Sequence, residues 1–207
     1  MEAKELLEKL REIKETILST VDENGDPQAR LIETMLVDDN ALYFLTARGK
    51  NVFKEIMNHN RVVMTGLSKE WVSIRLNGTC EKLEEQKYWI DKIFEKNPSM
   101  KKVYPGKARY ILEAFKISSG VIEYFDLSND KIQRGSVSLG EIKVKPKGFY
   151  ITNSCIGCGT CARNCPQQAI SIDNPYFINQ ENCLHCGLCF EKCPVSAIKK
   201  YKEGILC

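Results

Sequence analysis

Two stretches decide the reading of this chain. They are Cys155-Ile156-Gly157-Cys158-Gly159-Thr160-Cys161-Ala162-Arg163-Asn164-Cys165-Pro166 and, 28 residues on, Cys183-Leu184-His185-Cys186-Gly187-Leu188-Cys189-Phe190-Glu191-Lys192-Cys193-Pro194. Each is a Cys-x2-Cys-x2-Cys-x3-Cys-Pro run, and the repeat continues to Ala169 with Ala197 and Ile170 with Ile198. Three thiolates at steps of three on one short loop can hold three irons of a cube. The fourth cysteine, at a helical turn that proline ends, points away from that cube and must serve the other one. This spacing assigns Cys155, Cys158, Cys161 and Cys193 to one 4Fe-4S cluster, and Cys183, Cys186, Cys189 and Cys165 to a second. Soft thiolates suit iron and sulfide, and Gly157, Gly159 and Gly187 let backbone N–H groups come close to cluster sulfurs.

Nine of the ten cysteines lie in residues 150–207, a density that marks a cross-linked segment. Disulfides would need an oxidising compartment. The start, Met1-Glu2-Ala3-Lys4-Glu5, has neither the basic nor the apolar region of a secretory signal, and no apolar run is long enough to span a membrane. A cytoplasmic location is therefore expected. Zinc, the other reading of paired Cys-x2-Cys units, leaves the third cysteine of each run and the proline after the fourth unexplained. His185 is expected as an exposed neighbour of a cluster, since eight cysteines already fill the ligand places, and Cys80 and Cys207 are read as incidental. The segment Gly148 to Tyr201 resembles a bacterial-type two-cluster ferredoxin, which implies single-electron transfer at low potential.

The rest of the chain is of another kind. Its length, 207 residues, allows a medium domain with a small appendage. Lys+Arg 30 against Asp+Glu 27 leaves +3, too weak a surplus to indicate nucleic acid or an anionic membrane as partner. Leu6, Leu7, Leu10, Ile13, Ile17 and Leu18 recur near helical period, so an amphipathic helix is expected from Glu2 to about Thr16. Asn24-Gly25 signals a tight turn between β-rich runs, followed by runs at Pro27 to Val37 and Ala41 to Thr46. Then come a short helix at Lys50 to Asn58, strands at Arg61 to Leu67 and Trp71 to Glu81, and a helix at about Glu84 to Glu95. Two strands, Arg109 to Lys116 and Gly120 to Asp126, end the series. Six or seven antiparallel strands with helices as plugs would close into a small barrel, which removes edge strands. Ser136 to Lys147 reads as a basic linker.

No phosphate-cradling glycine motif occurs outside the cluster loops, so a doubly wound nicotinamide site is not expected. Four segments stand in order instead: Asn24-Gly25-Asp26-Pro27-Gln28-Ala29-Arg30, Leu42-Tyr43-Phe44-Leu45-Thr46, Lys50-Asn51-Val52-Phe53-Lys54 and Val72-Ser73-Ile74-Arg75-Leu76-Asn77-Gly78. At these residues the chain resembles the FMN-binding split barrels of the pyridoxamine 5'-phosphate oxidase type. The resemblance implies an α+β fold: an antiparallel split β-barrel with flanking helices over residues 1–140, a linker at 141–148, and a small ferredoxin-type iron-sulfur domain at 149–207. It implies that Arg30, Lys50 and Asn51 hold the FMN phosphate, and that backbone at Leu31, Ile32 and Glu33 and at Phe44, Leu45 and Thr46 lines the isoalloxazine.

It also implies a homodimer sharing each flavin, with partner residues around Trp71 or Arg75. A basic and polar set for pyridoxal phosphate is not identifiable, so pyridoxamine phosphate oxidation is not expected, and the catalytic residues stay unassigned. Some relatives of this barrel take heme or a deazaflavin, which leaves those cofactors open. Two functions follow. One is an FMN-dependent oxidoreductase passing single electrons through two 4Fe-4S clusters to or from FMN and a small-molecule substrate. The other is a non-enzymatic electron carrier between redox partner proteins.

Overall fold

A computed structural model describes residues 1–202. Cys207 lies outside the described residues. The chain divides into two compact units, one of residues 1–69, 73–124 and 136–142, the other of residues 70–72, 125–135 and 143 onward.

The first unit opens with α1 (Ala3–Ile13), which buries Leu6, Leu7 and Leu10. It ends three residues before the expected Thr16. Lys14 takes a left-handed φ of 66° and returns its N–H to the Leu10 carbonyl, closing the helix. Ile17 and Leu18, counted with the helix by period, lie instead on β1 (Glu15–Val21), where alternation turns Thr16, Leu18 and Thr20 inward. The Asp22 carboxylate accepts the N–H groups of Asn24 and Asp26, and Gly25 at φ 87° completes the turn into β2 (Pro27–Glu33). There follow β3 (Leu36–Val37), β4 (Leu42–Ala47), α2 (Asn51–Asn58), β5 (Arg61–Leu67), β6 (Val72–Lys82), α3 (Gln86–Lys96), α4 (Met100–Val103), β7 (Leu112–Asp126) and β8 (Gln133–Leu139).

These strands make an eight-stranded sheet in the order β2-β1-β5-β6-β7-β4-β3, with β8 paired to β7. Among the described residues the expected closure of the ladder does not occur. β2 has one neighbour, and β3 is two residues long, so the curled sheet stays split between β2 and β4, which approach each other across the gap. The expected strands at 109–116 and 120–126 are one strand, because Ser118-Ser119-Gly120 does not break it. A Cβ on Gly120 would lie 2.3 Å from the Asn77 carbonyl oxygen, so glycine is what lets β7 cross β6 this closely. Arg109, expected on that strand, lies in a 3-10 turn (Gly106–Ile111). Part of the expected linker, Ser136 to Leu139, belongs to β8. Phe44, Phe115, Met64, Ile74 and Leu76 are fully buried in this unit. Ile90, Ile93 and Phe94 of α3 pack with Tyr43 and Leu45.

The second unit contains β9 (Phe149–Ile151), α5 (Thr160–Asn164), β10 (Ile170–Ser171), β11 (Phe177–Ile178), α6 (Leu188–Glu191) and β12 (Ile198–Lys200). Two short antiparallel pairs, β9 with β12 and β10 with β11, frame the cysteine loops. The core is small: Phe149, Ala169, Ile170, Ile178 and Ile198 surround Cys161 and Cys183, with Cys165, Cys189 and Cys193 against them. A unit with so little apolar interior leans on whatever its cysteines bind.

Candidate cofactor sites

The 28-residue repeat becomes a pseudo-symmetric pair of loops. Gly159 and Gly187 both take positive φ, 71° and 85°, as N-caps of α5 and α6. Gly157 and His185 occupy equivalent places at φ 68° and 56°. Their N–H groups donate to Cys155 Sγ at 3.5 Å and Cys183 Sγ at 3.4 Å. The Ala169 and Ala197 N–H groups donate to Cys165 Sγ at 3.3 Å and Cys193 Sγ at 3.2 Å. Backbone dipoles thus point at four sulfurs in two matched pairs, the environment a thiolate bound to iron requires. His185 is half-buried, not exposed as expected, because it packs onto Gly148 at the start of β9.

Two chambers sit beside these loops. One is lined by Cys183, Cys186 and Cys189 with Cys165, closed by Phe149, Ile170 and Ile178. The other is lined by Cys155, Cys158 and Cys161 with Cys193, closed by Ile151, Tyr176 and Ile198. Each therefore gathers three cysteines of one run and the fourth of the other. Among the described residues, no three Cys, His, Asp or Glu side chains gather tightly enough for a single metal ion. Four thiols set around a chamber suit a polynuclear cluster better than the zinc ion considered above. Burial pushes the Cys161 and Cys183 thiols up, and Cys189 to about 11, while the Thr160 hydroxyl, 3.5 Å from Cys158 Sγ, holds that exposed thiol low. Loading such a set releases protons. Cys80 stands apart, buried and with its thiol pushed far up by that burial.

In the barrel, β2 and β4 flank the split. β4 pairs with β7 from Leu42 to Ala47 but with β3 only at Leu42 and Tyr43, so among the described residues Phe44 to Ala47 has no strand partner on that side. Among the described residues β2 pairs only with β1. Strand edges of this kind can supply N–H and C=O groups to a planar heterocycle. The Phe44 ring itself is core, stacked on Phe115 at 5.6 Å, and Leu45 and Thr46 are buried. Leu31 is 74% exposed on the outer face, while Ile32 and Glu33 are half-buried, and Glu33 pairs with Lys14 at 3.1 Å.

The cationic residues divide. Lys50 is the exposed N-cap of α2, which has no side-chain cap, so the Asn51 end of the helix presents N–H groups and an ammonium together. Asn51 also lines a cavity of about 250 Å³ between the β1–β2 turn and α2, with Asp22, Gln28, Lys54, Glu55 and Asn58. Arg30 turns away from solvent: it pairs with the buried Glu55 carboxylate at 2.8 Å and bonds Thr20, which also bonds Glu55. Arg75 is held by Glu123 of β7. Sequence reasoning missed Glu55, whose partner on β2 is far away in the chain. It also missed Lys54, which lines the same cavity as Asn51 from the first turn of α2.

A split barrel together with a unit bearing two four-cysteine chambers defines the class, a split-barrel protein with an iron-sulfur domain. Residues 3–116 match the pyridoxamine 5'-phosphate oxidase family, and the chain belongs to it. Residues 154–197 match a 4Fe-4S dicluster domain. No curated protein matches the chain. Among solved structures, a NimC/NimA family protein from Clostridium acetobutylicum is 22% identical at a TM-score of 0.54, over 64% of this chain and 90% of that one. A C. acetobutylicum protein related to general stress protein 26 of B. subtilis is 15% identical at 0.53, over 68% and 99%. General stress protein 26 of Bacillus anthracis str. Sterne is 23% identical at 0.50, over 60% and 94%. These likenesses show the fold. No helix among the described residues is long and apolar enough to cross a membrane.

Proposed function

We propose that the chain is a flavin- and cluster-dependent redox protein, an oxidoreductase in which single electrons pass through two 4Fe-4S clusters to or from FMN and a small-molecule substrate. The observation that carries this reading is the lining of each chamber by three cysteines of one run and the fourth of the other, on the same chain as a barrel of the pyridoxamine 5'-phosphate oxidase family. FMN supplies the exchange between one- and two-electron steps, and the cubes supply single-electron transfer. The chain's own part is binding and orientation. Lys50 and the open N-terminus of α2 take the phosphate, Asn51 orients it, and the free edges of Leu31–Glu33 and Phe44–Thr46 meet the ring. Arg30, neutralised by Glu55, ties β2 to α2 beside them. The cysteine loops hold the cubes and aim N–H groups at their sulfurs.

A homodimer completes this reading. Leu31, Ile17, Thr65 and Arg75 are successive cross-strand neighbours on the outer face, and Leu31 and Ile17 are 74% and 45% exposed. A second copy would cover such a row. The test is anaerobic stopped-flow reduction of the FMN-loaded full chain by a low-potential one-electron donor, against a Cys158→Ser/Cys186→Ser double variant. Fast flavin reduction in the parent and much slower reduction in the variant are expected. Equal rates would mean that the cysteine unit serves another partner, as in a carrier.

A further inference from the structure

The second cysteine run departs from the first in its charge. The 28-residue displacement puts Glu191 where the first run has Arg163. Arg163 is exposed, and its Nη1 donates to the Cys158 carbonyl at 3.2 Å, which sets a cation beside the first chamber. The second run carries an exposed Lys192 where the first has Asn164, and beside the second chamber a further, half-buried cation comes from outside the repeat. Arg134, near the start of β8, donates through Nη1 to the Cys183 carbonyl at 3.4 Å. Its guanidinium carbon lies 5.8 Å over the Phe125 ring, so the strand opposite supports it. A second tie holds the same hairpin end, where the Asn182 Nδ2 donates to the Ile132 carbonyl at 2.8 Å. Residues 125–135 and the cysteine loops belong to one compact unit, and Arg134 is half-buried where Arg163 is exposed.

Reduction of a cube adds one electron and breaks no protein bond. The energy of the added negative charge therefore depends on the fixed charges around it, and partial burial limits how far solvent and salt screen them. We propose that Arg134 is an electrostatic positioning residue for the cluster held by Cys165, Cys183, Cys186 and Cys189, raising its reduction potential with a half-buried charge from outside the repeat. This rests on the reading that those four cysteines hold a cube.

The test is a potentiometric titration of the anaerobic full chain, followed by electron paramagnetic resonance, with iron and sulfide counted in every sample. In Arg134→Gln, one of two midpoints should fall by at least a tenfold change in its equilibrium constant, about 59 mV for a one-electron couple, while the other stays. Arg134→Lys should retain most of the parent value. Asn182→Ala, which cuts the neighbouring tie and keeps the charge, should move neither midpoint. Arg163→Gln should move the other midpoint, and by less. Unmoved midpoints in a fully loaded Arg134→Gln chain would overturn the proposal, as would an equal fall in Arg134→Lys, or loss of iron from Arg134→Gln, since a tuning charge leaves assembly intact. A parent chain that takes up no second cluster fails the underlying reading at the iron count, before any variant is compared.

Discussion

Cys165→Ser separates crossed from sequential ligation, because Cys165 belongs to the first run by sequence and to the second chamber by position. A cube left with three thiolates either loses the unsupported iron or dissociates. Iron in a chain holding two cubes should thus fall from about eight to between about seven and about four. The structural cost extends further. Phe149, Ile170 and Ile178 close that chamber and are each nearly fully buried. At roughly 1.5–3 kcal/mol per buried side chain, the burial at risk is about 5–9 kcal/mol. That rivals the whole stability of a small domain, about 5–15 kcal/mol, so loss of the cube should loosen the unit. Amide hydrogen exchange should rise at residues 165–189 in Cys165→Ser, and protection in β1, β5 and β6 should hold. Paramagnetic spectra of a set of single Cys→Ser variants should sort Cys165 with Cys183, Cys186 and Cys189, and Cys193 with Cys155, Cys158 and Cys161. A Cys165→Ser spectrum that sorts with Cys155, Cys158 and Cys161 would refute the crossing.

Lys50→Ala removes one charge-assisted phosphate contact, about 1.5–3 kcal/mol, and should weaken FMN binding roughly tenfold to a hundredfold by fluorescence titration; an unchanged dissociation constant would leave Lys50 a solvated helix cap. Gly120→Ala sets a Cβ 2.3 Å from the Asn77 carbonyl oxygen and should destabilise the barrel by about 1–3 kcal/mol in denaturant melts, with an unshifted midpoint counting against the close crossing of β6 and β7. Burial would raise the Glu113 carboxyl, but Arg48 at 2.7 Å and Lys82 at 3.0 Å outweigh it and hold the group low. Its stabilisation is therefore present above the unfolded carboxyl range, about 4.3, and is lost as pH falls through the lower folded value. Glu113→Gln should cost about 1–2 kcal/mol at pH 7, and the gap to the parent should narrow below about pH 4; a gap constant down to pH 2.5 would sink that account.

The cysteine unit was legible because its chemistry is local. A run of three cysteines at steps of three, and a proline after the fourth, encode ligand directions within a dozen residues, and the repeat states the symmetry twice. The barrel was legible by pattern where alternation was clean, as in β5, whose expected and observed bounds coincide at Arg61–Leu67. It failed where a tertiary contact overrode local preference. Lys14 closes α1 while the apolar period runs on, and Gly120 reads as a breaker until β6 lies against it. β8 was hidden for a related reason: Ser136-Val137-Ser138-Leu139 alternates over only four residues at the head of a basic run, and the strand is set by its pairing with β7.

The proposed flavin site shows the same limit at the level of side chains. Arg30, Lys50 and Asn51 are equally plausible phosphate ligands as letters, yet the fold gives them different electrostatic standing. Lys50 makes no ion pair among the described residues and stands at an uncapped helix start. Arg30 already has a buried anion at 2.8 Å, and the Thr20 hydroxyl bonds both partners of that pair. An anion added at Arg30 must therefore share it with a carboxylate, and like charges that close oppose each other. The phosphate affinity should accordingly fall more steeply on losing Lys50 than its spacing alone suggests, and Arg30 acts chiefly to neutralise Glu55 and tie β2 to α2. No one-dimensional pattern could have given that order, since Thr20, Arg30 and Glu55 meet only when the β1–β2 hairpin and α2 come together.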